Sequence, residues 1–323
     1  MVQKEADNLL LNIFLAVIGF AILLKCADFF VDGAASLAKN FKIPTVVIGL
    51  TVVAFGTSAP ELAISFSSHI SGNTDMLFGN VIGSNISNIF VILGITVLII
   101  PIKIQENAVK REIPLLLAIT AIASFIFLDI PIRGASTNGF SRLDAVVLMI
   151  LFCFFGYYLF TILKSDTTED AKPKYKLPMS IVLIILGLAG IIFGSDMVVN
   201  NASQFAEAIG ISQKIIAVTI ISIGTSLPEL VTAITAVRKG ENSMAIGSIV
   251  GSNIFNICIV LGLPVLLLGE TTTTAFGNID IGFMVLAVVL LWIFSATSRK
   301  IKRAEAVVFL VAYAAYVVYV FMQ

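Results

Sequence analysis

Charge is scarce in this sequence. Asp, Glu, Lys and Arg make up only 12% of it, against about 25% in an ordinary soluble domain. Basic and acidic residues balance at 20 each, so no net field draws the chain to nucleic acid. It contains one histidine, His69, and neither His-Glu-x-x-His nor Gly-x-Gly-Asp. An intramembrane protease therefore has no support. The three cysteines, Cys26, Cys153 and Cys258, are odd in number and lie inside apolar runs. They read as small core residues rather than a disulfide frame or a metal cluster.

What the chain has is apolar length. Of its 323 residues 58% are hydrophobic, and mean hydropathy is +1.04. One water-soluble core cannot hide that much apolar surface. The runs are continuous over roughly 20 residues instead of alternating over about 10, which argues against a transmembrane β-barrel. Candidate spans run near Leu9–Leu37, Pro44–Ile70, Met76–Ile100, Ile113–Leu128 and Leu143–Leu163. A second set runs near Met179–Phe205, Ile215–Val237, Met244–Leu268, Ile279–Ser295 and Ala306–Met322. The expectation is an all-α polytopic membrane protein of about ten transmembrane helices. The polar start, MVQKEADN, precedes a run too long for a signal-peptide core, so that run is read as a retained span.

One charged, Pro-containing stretch from Lys164 to Lys176 interrupts the series. It divides the chain into residues 1–163, a linker at 164–177, and residues 178–323. With this span count, about fifteen Lys and Arg fall on the linker side and only Lys4, Arg133, Arg142 and Lys214 on the other. The excess of positive charge places the linker in the cytoplasm and both termini outside, in a multi-pass cell-membrane protein.

The two parts resemble each other. Gly56-Thr57-Ser58-Ala59-Pro60-Glu61-Leu62 recurs as Gly224-Thr225-Ser226-Leu227-Pro228-Glu229-Leu230. The same offset continues without a gap from Gly79-Asn80-Val81-Ile82-Gly83-Ser84-Asn85-Ile86-Ser87-Asn88 to Gly247-Ser248-Ile249-Val250-Gly251-Ser252-Asn253-Ile254-Phe255-Asn256. It also pairs Asp28 with Asp196. Five spans per part is an odd number, so the second copy enters the membrane upside down. Two inverted five-helix repeats with a site at the midplane are expected.

The matched segments carry the costly residues. A carboxylate at the depth of Glu61 or Glu229 costs about 3 kcal/mol on insertion scales. No repeat-matched Lys or Arg neutralises them, and Lys25, beside Asp28 and Asp32, is expected to pair locally. Two such acids form a cage that draws its cation from solution. Pro60 and Pro228 lack an N–H and free the carbonyls of Gly56 and Gly224. Ser58 and Ser226 are expected to cap the half-helices that follow. Thr57, Ser58, Thr225 and Ser226 add hydroxyl oxygens. Ser84 with Asn88, and Ser252 with Asn256, are four apart and share a helix face. Ion ligation and helix packing are both open to them, and their double occurrence favours ligation. Oxygen-only ligands suit Ca²⁺ and Na⁺, not zinc or copper. Gly79, Gly83, Gly247 and Gly251 read as packing residues, and Asn85 and Asn253 as hydrogen-bonding helix glue.

Gly-Thr-Ser-x-Pro-Glu-Leu followed by Gly-Ser-Asn-Ile-x-Asn, twice in inverted halves, resembles the α-repeats of the sodium/calcium exchanger family, within the calcium/cation antiporter superfamily. The likeness covers nearly the whole chain and is of the prokaryotic type. It implies a central Ca²⁺ site formed by Glu61, Glu229, Thr57 and Thr225. It implies Na⁺ sites using Ser58, Ser84, Ser226 and Ser252, with carbonyls of Ala54 and Ser222, and Asn88 and Asn256 completing the middle. Many members carry Asp at one of those last two positions. Asn at both leaves two acids in the cage and keeps Na⁺ number and K⁺ dependence open.

The implied activity is Na⁺/Ca²⁺ antiport by alternating access, with the first spans of each half, near Ala16–Leu37 and Ile184–Phe205, sliding past the rest. The chain is expected to work as a monomer, without prosthetic group or catalytic residues. A Ca²⁺/H⁺ antiporter of the same fold is the rival, along with K⁺-dependent exchange. The paired Thr-Ser hydroxyls favour Na⁺, since carrying a proton does not require them. A passive channel is a further alternative, which rigid coupling stoichiometry would exclude.

Overall fold

The computed structural model describes residues 2–128, 137–163, 172–209, 211, 222–273 and 275–322. Fifteen α-helices can be followed in this set. In the first half they are α1 (Val2–Phe41), α2 (Thr45–Ile48), α3 (Ala54–Thr57), α4 (Ala59–Ile70), α5 (Thr74–Ser87), α6 (Gly94–Ile99), α7 (Ile113–Phe127) and α8 (Arg142–Leu163). In the second they are α9 (Leu177–Ala208), α10 (Ser222–Thr225), α11 (Leu227–Arg238), α12 (Asn242–Phe255), α13 (Gly262–Leu268), α14 (Asn278–Ser298) and α15 (Arg303–Phe321). Wider π turns at Gly49–Val53, Asn88–Leu93 and Asn256–Leu261 join α2 to α3, α5 to α6 and α12 to α13.

Among the described residues, seven helices are long and apolar enough to cross a membrane. The pair Thr45–Thr57 and Ala59–Ile70, bent by 45°, makes an eighth if it counts as one span. Of the ten expected spans, the fourth is helical, with an α segment of 15 residues at Ile113–Phe127. The first part of the seventh, 215–221, lies outside the described residues, as do linker residues 164–171, Arg133 and Lys214.

Burial ranks the helices. Over an apolar run of 18 residues in each, Asn242–Leu268 is 83% buried and Thr74–Ile99 67%, against 11% for Leu9–Phe41. The central α12 packs against α2, α3 and α11. A Cβ added at Gly247 would lie 2.7 Å from the Val46 carbonyl, and one at Gly251 2.7 Å from that of Leu50. Only a bare backbone allows this approach. At their repeat mates the approach is looser among the described residues: a Cβ at Gly79 would lie 3.1 Å from the Phe276 ring, and one at Gly83 would meet nothing within 4 Å. Helices α1 and α9 lie along each other, close enough that a Cβ at Gly187 would sit 2.7 Å from the Phe30 nitrogen. Their outer faces present Leu10, Phe14, Val17, Ile185 and Leu186 to the surroundings. An exposed apolar face of this extent belongs in lipid.

Four short strands tie the ends of the bundle. β1 (Ile102–Lys103) pairs antiparallel with β4 (Lys300–Ile301). β2 (Asn138–Phe140) pairs antiparallel with β3 (Thr271–Thr273). Next to the first clasp, Glu106 meets Lys110 and, at 2.9 Å, Arg299. The hydrogen bond from Lys110 and the charge of Arg299 hold its carboxyl below the usual carboxylate range.

Asp32 on α1 receives Lys174 and Lys239, each at 2.7 Å, and Lys239 also lies 3.4 Å from Asp28. Lys39 faces Glu241 at 3.6 Å. The expected pairing of Lys25 with these aspartates is not made. Those acids are held by Lys174 of the linker and by Lys239 after α11, and the Lys25 ammonium lies over the Phe29 ring, 5.2 Å from its centroid.

Candidate functional site

Both half-helix breaks have one geometry. α3 ends at Thr57, Ser58 takes φ −88° and ψ 6°, and α4 starts with Pro60 in its first turn. α10 ends at Thr225, Ser226 takes φ −90° and ψ 0°, and α11 starts with Pro228. Neither serine makes the expected cap through its side chain. Proline removes one of the two N–H groups such a cap reaches. Instead Ser58 Oγ donates to Glu229 Oε1 at 3.5 Å, and Ser226 Oγ pairs with Ser87 Oγ at 3.3 Å. Both hydroxyls thus reach into the other half of the molecule.

Glu61 and Glu229 stand in the first turns of α4 and α11, where the helix N-terminus favours negative charge. They are 2% and 7% exposed. The Ser58 hydroxyl, three residues before Glu61, reaches Glu229 Oε1 and so joins the two breaks. Oε2 of each glutamate is buried without a hydrogen-bond partner. Two ionised, desolvated carboxylates facing each other are costly unless a cation sits between them.

Neutral oxygens lie on neighbouring elements: the turn opened by Asn88 packs on α11, which carries Glu229, and the turn opened by Asn256 packs on α4, which carries Glu61. The Thr57 hydroxyl donates to Val53 O at 3.1 Å, which leaves its lone pairs for another group. Ser252 Oγ and Asn256 Oδ1 are buried and unpartnered. Asn88 donates its amide N–H to Asn253 Oδ1 at 2.9 Å, so its own Oδ1 is not engaged there. Ser84 is buried one turn before Asn88 on α5. Asn88 and Asn256 each open a π turn, a distortion frequent at functional sites. The Ala54 carbonyl accepts the Ser58 N–H at 3.1 Å and lies 3.5 Å from the Thr57 hydroxyl. Ser222 opens α10. Of the freed carbonyls, Gly224 O is taken by Ser195 Oγ at 3.0 Å. Among the described residues no three His, Cys, Asp or Glu side chains come together. Any cation here is held by two acids and otherwise neutral oxygen, a hard-ion environment.

Comparison with known proteins gives the family. The model described as sodium/calcium exchanger protein matches residues 11–161 and 179–322. The chain belongs to the sodium/calcium exchanger family. It is 36% identical over 282 residues to the inner membrane protein YrbG of Escherichia coli, covering 84% of each chain. It is 30% identical over 348 residues to the sodium/calcium exchanger MaX1 of Methanosarcina acetivorans, covering 96% of this chain and 98% of that one. A solved structure of the sodium-calcium exchanger NCX_Mj, soaked with 10 mM Na⁺ and zero Ca²⁺, superposes with a TM-score of 0.82 at 33% identity. That match covers 96% of this chain and 99% of the other. The protein is thus a membrane protein of an exchanger family.

Several site neighbours escaped the sequence reading of this exchanger. Asn80 donates to the Glu61 carbonyl and to Ser65 Oγ, both at 2.9 Å. Its signal was present, since Asn80, Ser84 and Asn88 recur every fourth residue. Ser87 and Ser195 had no signal, because their repeat mates are Phe255 and Ala27.

Proposed function

We propose that the chain is a secondary active antiporter that exchanges Na⁺ for Ca²⁺ across the cell membrane by alternating access. One observation carries this reading: Glu61 and Glu229 are buried at two matched half-helix breaks that Ser58 links to each other, and among the described residues each keeps one unpartnered oxygen. In this reading Ca²⁺ takes Glu61 and Glu229 with Thr57 and Thr225. Na⁺ takes Ser58, Ser84, Ser226 and Ser252 with the carbonyls of Ala54 and Ser222, and Asn88 and Asn256 stand between. The ions compete for overlapping oxygens. An empty cage leaves two carboxylates repelling each other, so the loaded forms cross and the empty form does not. That difference is what couples the two fluxes.

The proposal includes ten spans in two inverted repeats, residues 1–163 and 178–323, with a cytoplasmic linker at 164–177 and both termini outside. Element bounds support the repeat. The starts of α4 and α11, of α5 and α12, and of the π turns at Asn88 and Asn256 are all separated by the offset that relates Glu61 to Glu229. So are the left-handed glycines after α4 and α11, Gly72 at φ 71° and Gly240 at φ 81°. A buried acid recurs at the same offset. Glu112 accepts from Tyr158 Oη at 2.6 Å, and Asp280 from Tyr316 Oη at 3.2 Å. The strand clasps support it too. β1 and β3 each follow the third span of a half, and β2 and β4 each precede its last, so turning the molecule over exchanges the two clasps.

The test is Ca²⁺ uptake into vesicles loaded with Na⁺, compared with K⁺-loaded and choline-loaded vesicles and with an imposed pH gradient. Uptake that requires internal Na⁺ and is lost in Glu61→Gln is expected. Uptake driven by the pH gradient alone would assign the rival proton exchange, and normal uptake by Glu61→Gln would end the proposal.

A further inference from the structure

Asn253 does not belong to the cage, yet it decides which end of Asn88 faces it. An asparagine amide has an oxygen end that attracts a cation and an N–H end that repels one. Nothing in Asn88 itself selects between them. The selection comes from across the molecule, where Asn253 Oδ1 accepts the Asn88 N–H at 2.9 Å. Asn253 is itself fixed, because its own amide donates to the Asn85 carbonyl at 3.3 Å. Asn253 is fully buried, and Asn85 and Asn88 are each 2% exposed, so no bulk water competes for these groups.

We infer that Asn253 is a positioning residue: it holds the Asn88 N–H end away from the cage and so presents the Asn88 oxygen to the transported cation. Asn85 is the repeat mate of Asn253, and its relation to Asn256 mirrors that of Asn253 to Asn88. Its Oδ1 is buried and unpartnered among the described residues, so the mirrored bond from Asn256 is not made in this structure. With Asn at both 88 and 256, the charge of the cage comes from two glutamates alone, so the orientation of these neutral amides matters more. The inference rests on the exchange activity proposed above and adds one residue that touches no ion.

The experiment is the Ca²⁺ dependence of Na⁺-driven uptake in reconstituted vesicles, with melting in detergent as a check on assembly. Asn253→Leu removes the acceptor and is expected to raise the KM for Ca²⁺ about 10- to 100-fold, the usual cost of losing the support behind a ligand. Asn253→Asp keeps an acceptor oxygen and should restore KM to within a few-fold. Asn88→Asp has oxygen at both ends, so adding Asn253→Leu to it should leave KM unchanged. Should Asn253→Leu not assemble, Asn253→Ala replaces it in both backgrounds. An unchanged KM in the single variant overturns the inference. The same fold-loss in the Asn88→Asp background does so too, because that is how a merely structural residue behaves. Wild-type protein without Na⁺-driven uptake would instead refute the activity itself.

Discussion

At the scale of single residues, the site depends on oxygen atoms that no protein donor satisfies. Glu61 Oε2 and Glu229 Oε2 are the extreme cases. Protons compete with Ca²⁺ for both, because a protonated carboxyl has lost its charge and half its donor capacity. The KM for Ca²⁺ is therefore expected to rise as pH falls, while the rate at saturating Ca²⁺ holds. Initial uptake rates over a pH series check this, and a pH-independent KM would remove the glutamates from the binding step. These acids were legible in the sequence because an unneutralised carboxylate in an apolar run is expensive and therefore conspicuous. The Ser58 and Ser226 hydroxyls were expected to cap the half-helices that follow and do not. Local spacing indicates what a side chain can reach on its own helix, and both serines are claimed by partners from the opposite half of the chain. Lys25 failed for the same reason, since Asp28 and Asp32 are taken by lysines from distant loops.

At the scale of elements, the helices follow from apolar runs and their ends from local chemistry. Asn73 accepts the Met76 N–H at 3.1 Å to start α5, and Asp280 accepts the Gly277 N–H at 2.9 Å to start α14. The left-handed Gly72 and Gly240 stop α4 and α11. Such signals lie within a few residues of one another, so span positions were readable. The π turns were not, because widening a helix by one residue leaves its composition unchanged. Close packing at Gly251 sets the distance between α12 and the turn before α3. In Gly251→Val, the new Cβ meets Leu50 O at 2.7 Å and Ala54 Cβ at 2.8 Å. A loss of about 1–3 kcal/mol is expected, read as a lower melting temperature in detergent together with weaker uptake, since Ser252 is the next residue. Gly156→Ala is the control, because an added Cβ there meets nothing within 4 Å. Equal melting of the two variants would show that the α12 contact does not set stability.

At the scale of the molecule, the two copies of the proposed repeat are charged differently. The ion pairs of Asp32 and Lys39 with Lys239 and Glu241 join α1 to the turn after α11 at the linker end. Their repeat mates are Asn200, Glu207, Ser71 and Asn73, a set with a single charge. Lys239→Met should release α1 at that end and increase the population open to the linker side. With Cys26, Cys153 and Cys258 replaced, a membrane-impermeant maleimide applied from the linker side is expected to label Ser36→Cys faster in Lys239→Met. An unchanged labelling rate would mean that these charges do not hold the end shut. The strand clasps reach further. Each joins a strand from residues 1–163 to one from residues 178–323, and α1 lies along α9 between them. The two parts are thus joined by both strand pairs and by α1 along α9, and the linker adds the contacts of Lys174 with Asp32 and of the Tyr175 carbonyl with Asn40. Made as two separate polypeptides, they should still find each other and move Ca²⁺; a heterodimer with this architecture could have worked before any fusion placed both parts on one chain.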